Sequence, residues 1–286
     1  MNLREVLIKS TEYLRSKGSP TPRLDAELLL ARGLNLRRLD LYLQFDRPMN
    51  EKDLDSCRAL ITRRGQGEPV AYILGEKEFW GEVFEVGPGV LIPRPETEIL
   101  VEEVLNSVKT QSRIDQELRI VDLGTGSGCI GLSLVKALPN ARLLAIDTSA
   151  EALVIAQRNA NRLEVIDRVK FIKADAAIPP ECNPVDVLVA NPPYISLNDD
   201  CVEADVKKFE PHSALFSGVT GLEHLRAWLT GWLPYLAPQA IVVFEIGWKQ
   251  GEMAKQIFDA TGKFLTTGIV RDLAGHDRVI KGIVHG

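Results

Sequence analysis

The chain has 286 residues, 45% of them hydrophobic and 26% charged, which is ordinary for a soluble globular protein and comfortable for two unequal domains. No apolar run reaches the length of a membrane span, and a net charge of −5 argues against nucleic acid as the substrate. The charge is uneven, at net +3 over residues 1–74 and −8 over the remainder, so the front end is mildly basic.

The opening Met1-Asn2-Leu3-Arg4-Glu5 starts an amphipathic helix rather than a signal peptide. Leu3, Val6, Leu7, Ser10 and Leu14 then keep the 3–4 spacing of one buried helical face. Thr21-Pro22 reads as an N-cap followed by proline at the first helical position, opening a helix through Leu28, Leu29 and Leu30. Asn50 caps a further helix with the stripe Leu54, Cys57, Leu60 and Ile61. A small helical bundle follows from these pieces. The pattern then changes to a hairpin: Glu78-Phe79-Trp80, a turn at Gly81-Glu82, and Val83-Phe84-Glu85-Val86. Two prolines keep Val90 to Glu98 extended, with Thr97 as the N-cap of a helix through Leu105. Beyond Leu118, strands at 118–122, 142–147, 168–174, 185–190 and 239–246 alternate with helices near 128–137, 149–162, 221–235 and 249–260. That alternation predicts a parallel sheet covered on both faces. Phe264–Val270 and Arg278–Val284 read as an antiparallel pair at one edge. Cys57, Cys129, Cys182 and Cys201 lie far apart without metal-ligand spacing, and the four histidines form no cluster. The expectation is reduced thiols in a cytoplasmic protein and no metal site.

The strand Arg119-Ile120-Val121-Asp122 runs into Leu123-Gly124-Thr125-Gly126-Ser127-Gly128. Three glycines at alternate positions let the backbone approach a ligand and take dihedrals closed to other residues. The helix opening near Gly128 turns its N-terminal amides to the same place. A second strand ends at Asp147, whose carboxylate can accept both hydroxyls of a ribose. A third ends at Asp175-Ala176, where Asp175 can accept from an adenine amine. Two nucleosides compete for this loop. Gly126 to Gly131 satisfies the dinucleotide pattern G-x-G-x-x-G with an acid following, as in a nicotinamide dehydrogenase. Against that, the match begins four residues past Asp122, and the negative Asp122 at the strand tip suits a cationic amino acid better than a pyrophosphate. S-adenosylmethionine carries an ammonium and a sulfonium without phosphate, and it is the preferred ligand.

The apolar run Val187-Leu188-Val189-Ala190 stops at Asn191-Pro192-Pro193-Tyr194. Neither proline donates a hydrogen bond, and both stiffen the turn, so the loop presents acceptors: the Asn191 side-chain oxygen and nearby carbonyls. Acceptors beside one aromatic face suit a planar NH₂ group, as found in amides and nucleobases.

With Asp122 to Gly128, Asp147 and Asn191 to Tyr194 in this order, the chain resembles the class I methyltransferases that act on planar nitrogen. More narrowly it resembles the HemK family, the peptide chain release factor glutamine N5-methyltransferases. Val90-Leu91-Ile92-Pro93-Arg94-Pro95-Glu96-Thr97-Glu98 matches that family's signature, as do Phe79-Trp80-Gly81, Glu210-Pro211 with Ala214-Leu215, and Gly221-Leu222. The resemblance implies an α/β, class I (Rossmann-like) S-adenosylmethionine-dependent methyltransferase with a small N-terminal helical bundle and a linking β-hairpin. The implied domains are 1–74 for substrate recognition, 75–95 as the hairpin linker and 96–286 for methyl transfer. It implies as substrate the glutamine of Gly-Gly-Gln in release factors. By that likeness Gly124, Thr125, Gly126, Ser127, Gly128, Asp147 and Asp175 hold the cofactor. Some relatives have an aromatic residue in place of Ala176, which leaves the backbone there as the contact. Asn191, Pro192, Pro193 and Tyr194 hold the amide, with Asn191 as the catalytic residue reaching both ligands. Arg63-Arg64, the Phe79-Trp80 edge and segment 195–220 are expected to meet the protein substrate. Three other readings remain: methylation of a ribosomal-protein glutamine, adenine-N6 methylation of nucleic acid, and a cofactor-binding scaffold.

Overall fold

The computed structural model describes residues 1–182, 184–199 and 204–286. Cys201 and residues 200–203 of segment 195–220 therefore lie outside the described residues. The chain divides into two compact units, one built from Met1–Glu76 with the helix Ala204–Phe209, the other from the rest.

The first unit is helical: α1 (Leu3–Ser16), α2 (Pro22–Gly33), α3 (Arg38–Leu43), α4 (Glu51–Gly65) and α5 (Val70–Leu74). Asn2 starts α1 by accepting the Glu5 amide at 3.0 Å while Glu5 reaches back to the Asn2 amide at 3.1 Å, satisfying two orphan donors at once. Asn50 caps α4 through the Asp53 amide at 2.8 Å. Thr21 precedes α2 as expected but does not cap it. Its hydroxyl donates instead to Asp25 Oδ1 at 2.8 Å, and Asp25 Oδ2 takes Arg64 Nε at 2.7 Å, so a buried ion pair claims the side chain. The spacing in α1 puts Leu3, Val6, Leu7 and Leu14 on one face against Leu29, Leu30, Leu41 and Ile61. Burying each such side chain contributes roughly 1.5–3 kcal/mol. The short helices α3 and α5 went unread because each carries too few turns for a period to show.

The second unit opens with the hairpin β1 (Glu76–Phe79) and β2 (Glu82–Glu85). Its turn is Trp80-Gly81, one residue earlier than the sequence suggested, with both residues at positive φ (52° and 72°). Two consecutive left-handed residues make the turn whose twist matches the flanking strands, and this outweighs the poor fit of tryptophan to that region. Phe79 and Phe84, read as part of a linker, are fully buried in this unit's core. After an extended stretch through Arg94 comes a 3₁₀ turn, Pro95–Thr97, leading directly into α6 (Glu98–Thr110). Thr97 stands at the N-cap position as expected, but with helical dihedrals and without a side-chain capping bond; the helix also runs five residues past Leu105.

There follow β3 (Arg119–Leu123), α7 (Cys129–Ala137), β4 (Arg142–Asp147), α8 (Ala150–Arg162), β5 (Val169–Lys173) and β6 (Val185–Ala190). The short helix Ala204–Phe209 is α9; then come α10 (Glu223–Trp232), β7 (Leu236–Glu245), α11 (Gly251–Asp259), β8 (Phe264–Arg271) and β9 (Asp277–Val284). Seven of these strands form one sheet in the order β5-β4-β3-β6-β7-β9-β8. β5, β4, β3, β6 and β7 are parallel, and β9 enters antiparallel between β7 and the edge strand β8. The strand period of two sorts the core into two layers. Ile120, Val187, Val189, Ile241 and Val243 pack with α6, α7 and α8 on one face. Val121, Leu188, Val242 and Phe244 pack with Leu225, Trp228 and Leu229 of α10 and Ala254 and Phe258 of α11 on the other. Both faces are covered, as the alternation predicts. Among the described residues, no helix is long and apolar enough to cross a membrane.

Candidate active site

The strand order reverses direction between β3 and β6, and ligands in such sheets bind outside the carboxyl ends of the strands at that switch. The register makes this concrete. Leu123 pairs with Ile146 on one side and with Ala190 on the other, and Ala190 pairs with Phe244. The next residues along these strands are Gly124, Asp147, Asn191 and Glu245. Two loop starts and two strand ends therefore meet at a single edge.

There the chain encloses a cleft of about 380 Å³. Gly124, Thr125, Gly126, Ser127, Asp147, Asp175, Ala176, Asn191 and Pro193 line it, together with Arg94, Thr97, His224 and Trp228, which sequence reasoning did not assign to the cofactor or the amide. Gly128, Pro192 and Tyr194, expected at the ligands, are not among the lining residues.

Gly124, Gly126 and Gly128 have φ of 66°, 56° and 83°. Gly124 must be glycine for a second reason: a Cβ there would stand 2.8 Å from the Trp228 ring. Asp147 braces the loop by accepting the Gly126 amide through Oδ2 and the Ser149 amide through Oδ1, both at 2.9 Å. Each oxygen keeps a lone pair for a further donor from the cleft. Asp175 accepts the Ala177 amide at 2.9 Å and stays exposed at the rim. The Ala176 carbonyl accepts Trp232 Nε1 at 2.8 Å, which fixes the peptide at the floor.

Asp122 departs from the sequence reading. Rather than facing the cleft, it is fully buried, with Oδ2 accepting the Thr125 hydroxyl at 2.7 Å and the Gly131 amide at 3.1 Å, while Oδ1 has no partner among the described residues. It ties the glycine loop to α7. Burial pushes its pKa up to about 7, against the lowering effect of those two bonds. The ordinary value is 3.8, so between pH 4 and 7 the folded protein binds the proton more tightly than the unfolded one. The stability linked to that proton is complete below the unfolded value and lost as pH rises through the folded one. Asp122→Asn cannot ionise. The stability of the wild type relative to this variant is therefore expected to fall on the order of 1–3 kcal/mol between pH 5 and pH 8. Chemical denaturation at the two pH values measures it; an unchanged difference would assign the proton elsewhere.

The acceptor loop is held from behind. Gln250 donates to the Tyr194 carbonyl at 2.9 Å and accepts the Gly247 amide at 2.8 Å. Gly221, at φ 77°, lets the chain pass so close that a Cβ would lie 2.3 Å from that carbonyl. The Tyr194 hydroxyl hydrogen-bonds Glu245, whose charge, with burial, pushes the phenol pKa upward. Glu245 is 2% exposed, and burial raises its carboxyl to about 7 despite bonds from Thr97 and Tyr194. The extended segment before α6 is pinned by Glu210, which accepts the Ile92 amide at 3.0 Å and pairs with Arg94 at 2.5 Å. Of these supports, Glu210, Arg94, Gly221 and Tyr194 stood out in sequence as parts of motifs, whereas Gln250 did not. Glu245 looked like the end of an apolar strand, and Thr97 like a cap. Among the described residues, no group of three or more His, Cys, Asp or Glu side chains is placed to hold a metal.

A doubly covered sheet with a glycine loop, an acid ending the next strand and an Asn-Pro-Pro-Tyr turn at the switch defines a methyltransferase of the Rossmann-like class. Residues 96–208 match the methyltransferase small domain, and residues 5–75 match the PrmC N-terminal domain. The hMettl16 catalytic domain shares the fold at TM-score 0.55 and 16% identity, over 78% of this chain and 81% of that one. Two relatives are similar along nearly their whole length. The release factor glutamine methyltransferase of Geobacter sulfurreducens is 38% identical over 98% of this chain and 96% of its own. That of Nitratidesulfovibrio vulgaris is 40% identical over 97% and 94%. The chain belongs to the release factor glutamine methyltransferase family. This membership sets aside the dehydrogenase reading of Gly126 to Gly131.

Proposed function

We propose that this chain transfers the methyl group of S-adenosylmethionine to the side-chain amide nitrogen of the glutamine in the Gly-Gly-Gln motif of peptide chain release factors. One observation carries the reading: the register of β3 and β6 sets a glycine-loop cleft beside the acceptor turn, in a chain whose relatives match it end to end. The residues present suit that cofactor. Gly124 and Gly126 give a backbone cradle in which a Cβ at Gly126 would meet open space, with nothing nearer than 3.9 Å. Asp147 offers two oxygens to a ribose, Asp175 and the Ala176 backbone lie where an adenine would rest, and Trp228 adds an aromatic wall.

When bound, S-adenosylmethionine supplies an electrophilic methyl on a sulfonium. The protein's task is the nucleophile, since an amide nitrogen has its lone pair delocalised into the carbonyl. Asn191 Oδ1 and the Pro192 carbonyl accept the two amide hydrogens and turn the nitrogen toward the cleft. As positive charge grows on that nitrogen, the same acceptors bind it more strongly than in the ground state, which is what lowers a barrier. Pro193 closes the wall beside it. The proton leaves after transfer, to water. The helical unit Met1–Glu76, net positive over residues 1–74, selects the protein substrate.

The test offers the protein labelled S-adenosylmethionine with an intact release factor, the same factor with Gln→Ala in Gly-Gly-Gln, or nucleic acid. Label in the first alone is the expected result. Label in nucleic acid, or equal label in the Gln→Ala factor, would overturn the assignment.

A further inference from the structure

A buried carboxylate at the end of a strand reading Ile241-Val242-Val243-Phe244 is costly, because its charge has been taken out of water. Glu245 sits in that position, and Thr97 is equally buried at 2% exposure. The Thr97 hydroxyl donates to Glu245 Oε2 at 2.7 Å, and Thr97 Oγ1 accepts Nδ2 of Asn191 at 3.4 Å. The chain of bonds has a direction. A hydroxyl has one proton, and the ionised form of Glu245, which can only accept, takes it. What Thr97 has left for Asn191 is a lone pair, so only the NH₂ end of the Asn191 amide can face it. The oxygen is then turned the other way, into the cleft that Asn191 lines.

Oxygen and nitrogen of an asparagine have nearly the same shape, and the surrounding network decides which way the amide points. Were it flipped, NH₂ would face the cleft and Oδ1 would face an oxygen with no proton to give. An acceptor site for an incoming NH₂ would become a donor site. The register supplies both members of the network: Phe244 pairs with Ala190, so Glu245 and Asn191 leave adjacent strands at the same level. The 3₁₀ turn Pro95–Thr97, which gives Thr97 helical dihedrals in place of a capping role, brings its side chain to them.

We propose that Thr97 and Glu245 are positioning residues that fix the side-chain amide of Asn191 with its oxygen toward the substrate nitrogen. This rests on the amide-methylation reading above and assigns to two residues outside the acceptor turn the polarity of that turn. Each acts through Asn191, Glu245 from the buried strand end and Thr97 from the wall of the cleft that it also lines.

Thr97→Val keeps the branched shape and removes both the donor and the acceptor, whereas Thr97→Ser keeps both. Glu245→Gln can donate to Thr97 and reverse the chain of bonds. The expected result is a loss of about 10- to 100-fold in kcat for Thr97→Val and Glu245→Gln, the scale of a misaligned reacting group, with near wild-type kcat for Thr97→Ser and unchanged S-adenosylmethionine affinity in all three. A second readout does not need turnover: the Asn191 side-chain NH₂ resonances of the folded protein should shift in Thr97→Val and stay in place in Thr97→Ser. Thr97→Val at wild-type kcat, or Asn191 resonances indifferent to it, would overturn the proposal. A wild type that transfers no methyl to release factors, yet whose Asn191 resonances respond to Thr97→Val, would instead sink the substrate reading and leave the orientation standing.

Discussion

Asn191→Ala should slow methyl transfer to the release factor by about 10²–10³-fold, the scale seen when one preorganised partner of a developing charge is removed. The alanine leaves the prolines and the turn in place, since Gln250 holds the Tyr194 carbonyl and Glu245 the Tyr194 hydroxyl independently of position 191. What disappears is the acceptor aimed at the amide nitrogen. Because this contact tightens only as charge builds, its loss falls on kcat. Single-turnover rates at saturating cofactor measure the effect, and calorimetric titration with S-adenosylmethionine gives the control. A drop in cofactor affinity as large as the drop in rate would place Asn191 on the cofactor instead.

Asp147 should show the opposite division. Its carboxylate braces Gly126 and Ser149 while offering its remaining lone pairs to the cleft. Asp147→Asn replaces one oxygen with a donor, which would face a backbone N–H where an acceptor is needed. Hydrogen bonds to a charged group contribute about 1.5–3 kcal/mol each. Losing the ribose contact together with one loop brace should weaken S-adenosylmethionine binding by roughly 100-fold, with kcat at saturating cofactor changed far less. Calorimetry on the two proteins decides it. An unchanged dissociation constant would take Asp147 off the ribose and leave it only as the brace of the glycine loop.

Much of this architecture was legible locally. The helical stripe of α1, the Asn50 cap, the alternating strands and helices after Leu118 and the antiparallel edge pair all follow from periodicity and end signals. Residues at or just past strand ends were legible for the same reason: Gly124, Asp147, Asp175 and Asn191 all stand there, and all four line the cleft. Readings that depended on which way a side chain turns fared worse. Asp122 reads as a charge offered to a ligand, yet its strand face carries it inward to Thr125 and Gly131. Thr97 takes the cap position, yet its hydroxyl goes to Glu245 rather than to the helix amides. Tyr194 reads as a stacking face, while its hydroxyl is spent on Glu245.

Residue order alone specifies the sheet, its two covered faces and the loops that leave its carboxyl edge, because hydrophobic period and backbone chemistry act over a few residues. It also carried enough of the family's motifs to narrow the chemistry to a planar nitrogen. That Thr97, Asn191 and Glu245, drawn from an entry turn and two strands far apart along the chain, form one line of hydrogen bonds emerges only in the folded chain. Partners of that kind are set by which strands lie side by side and in what register, and strand pairing across long stretches of chain leaves no mark on the residues next to each partner.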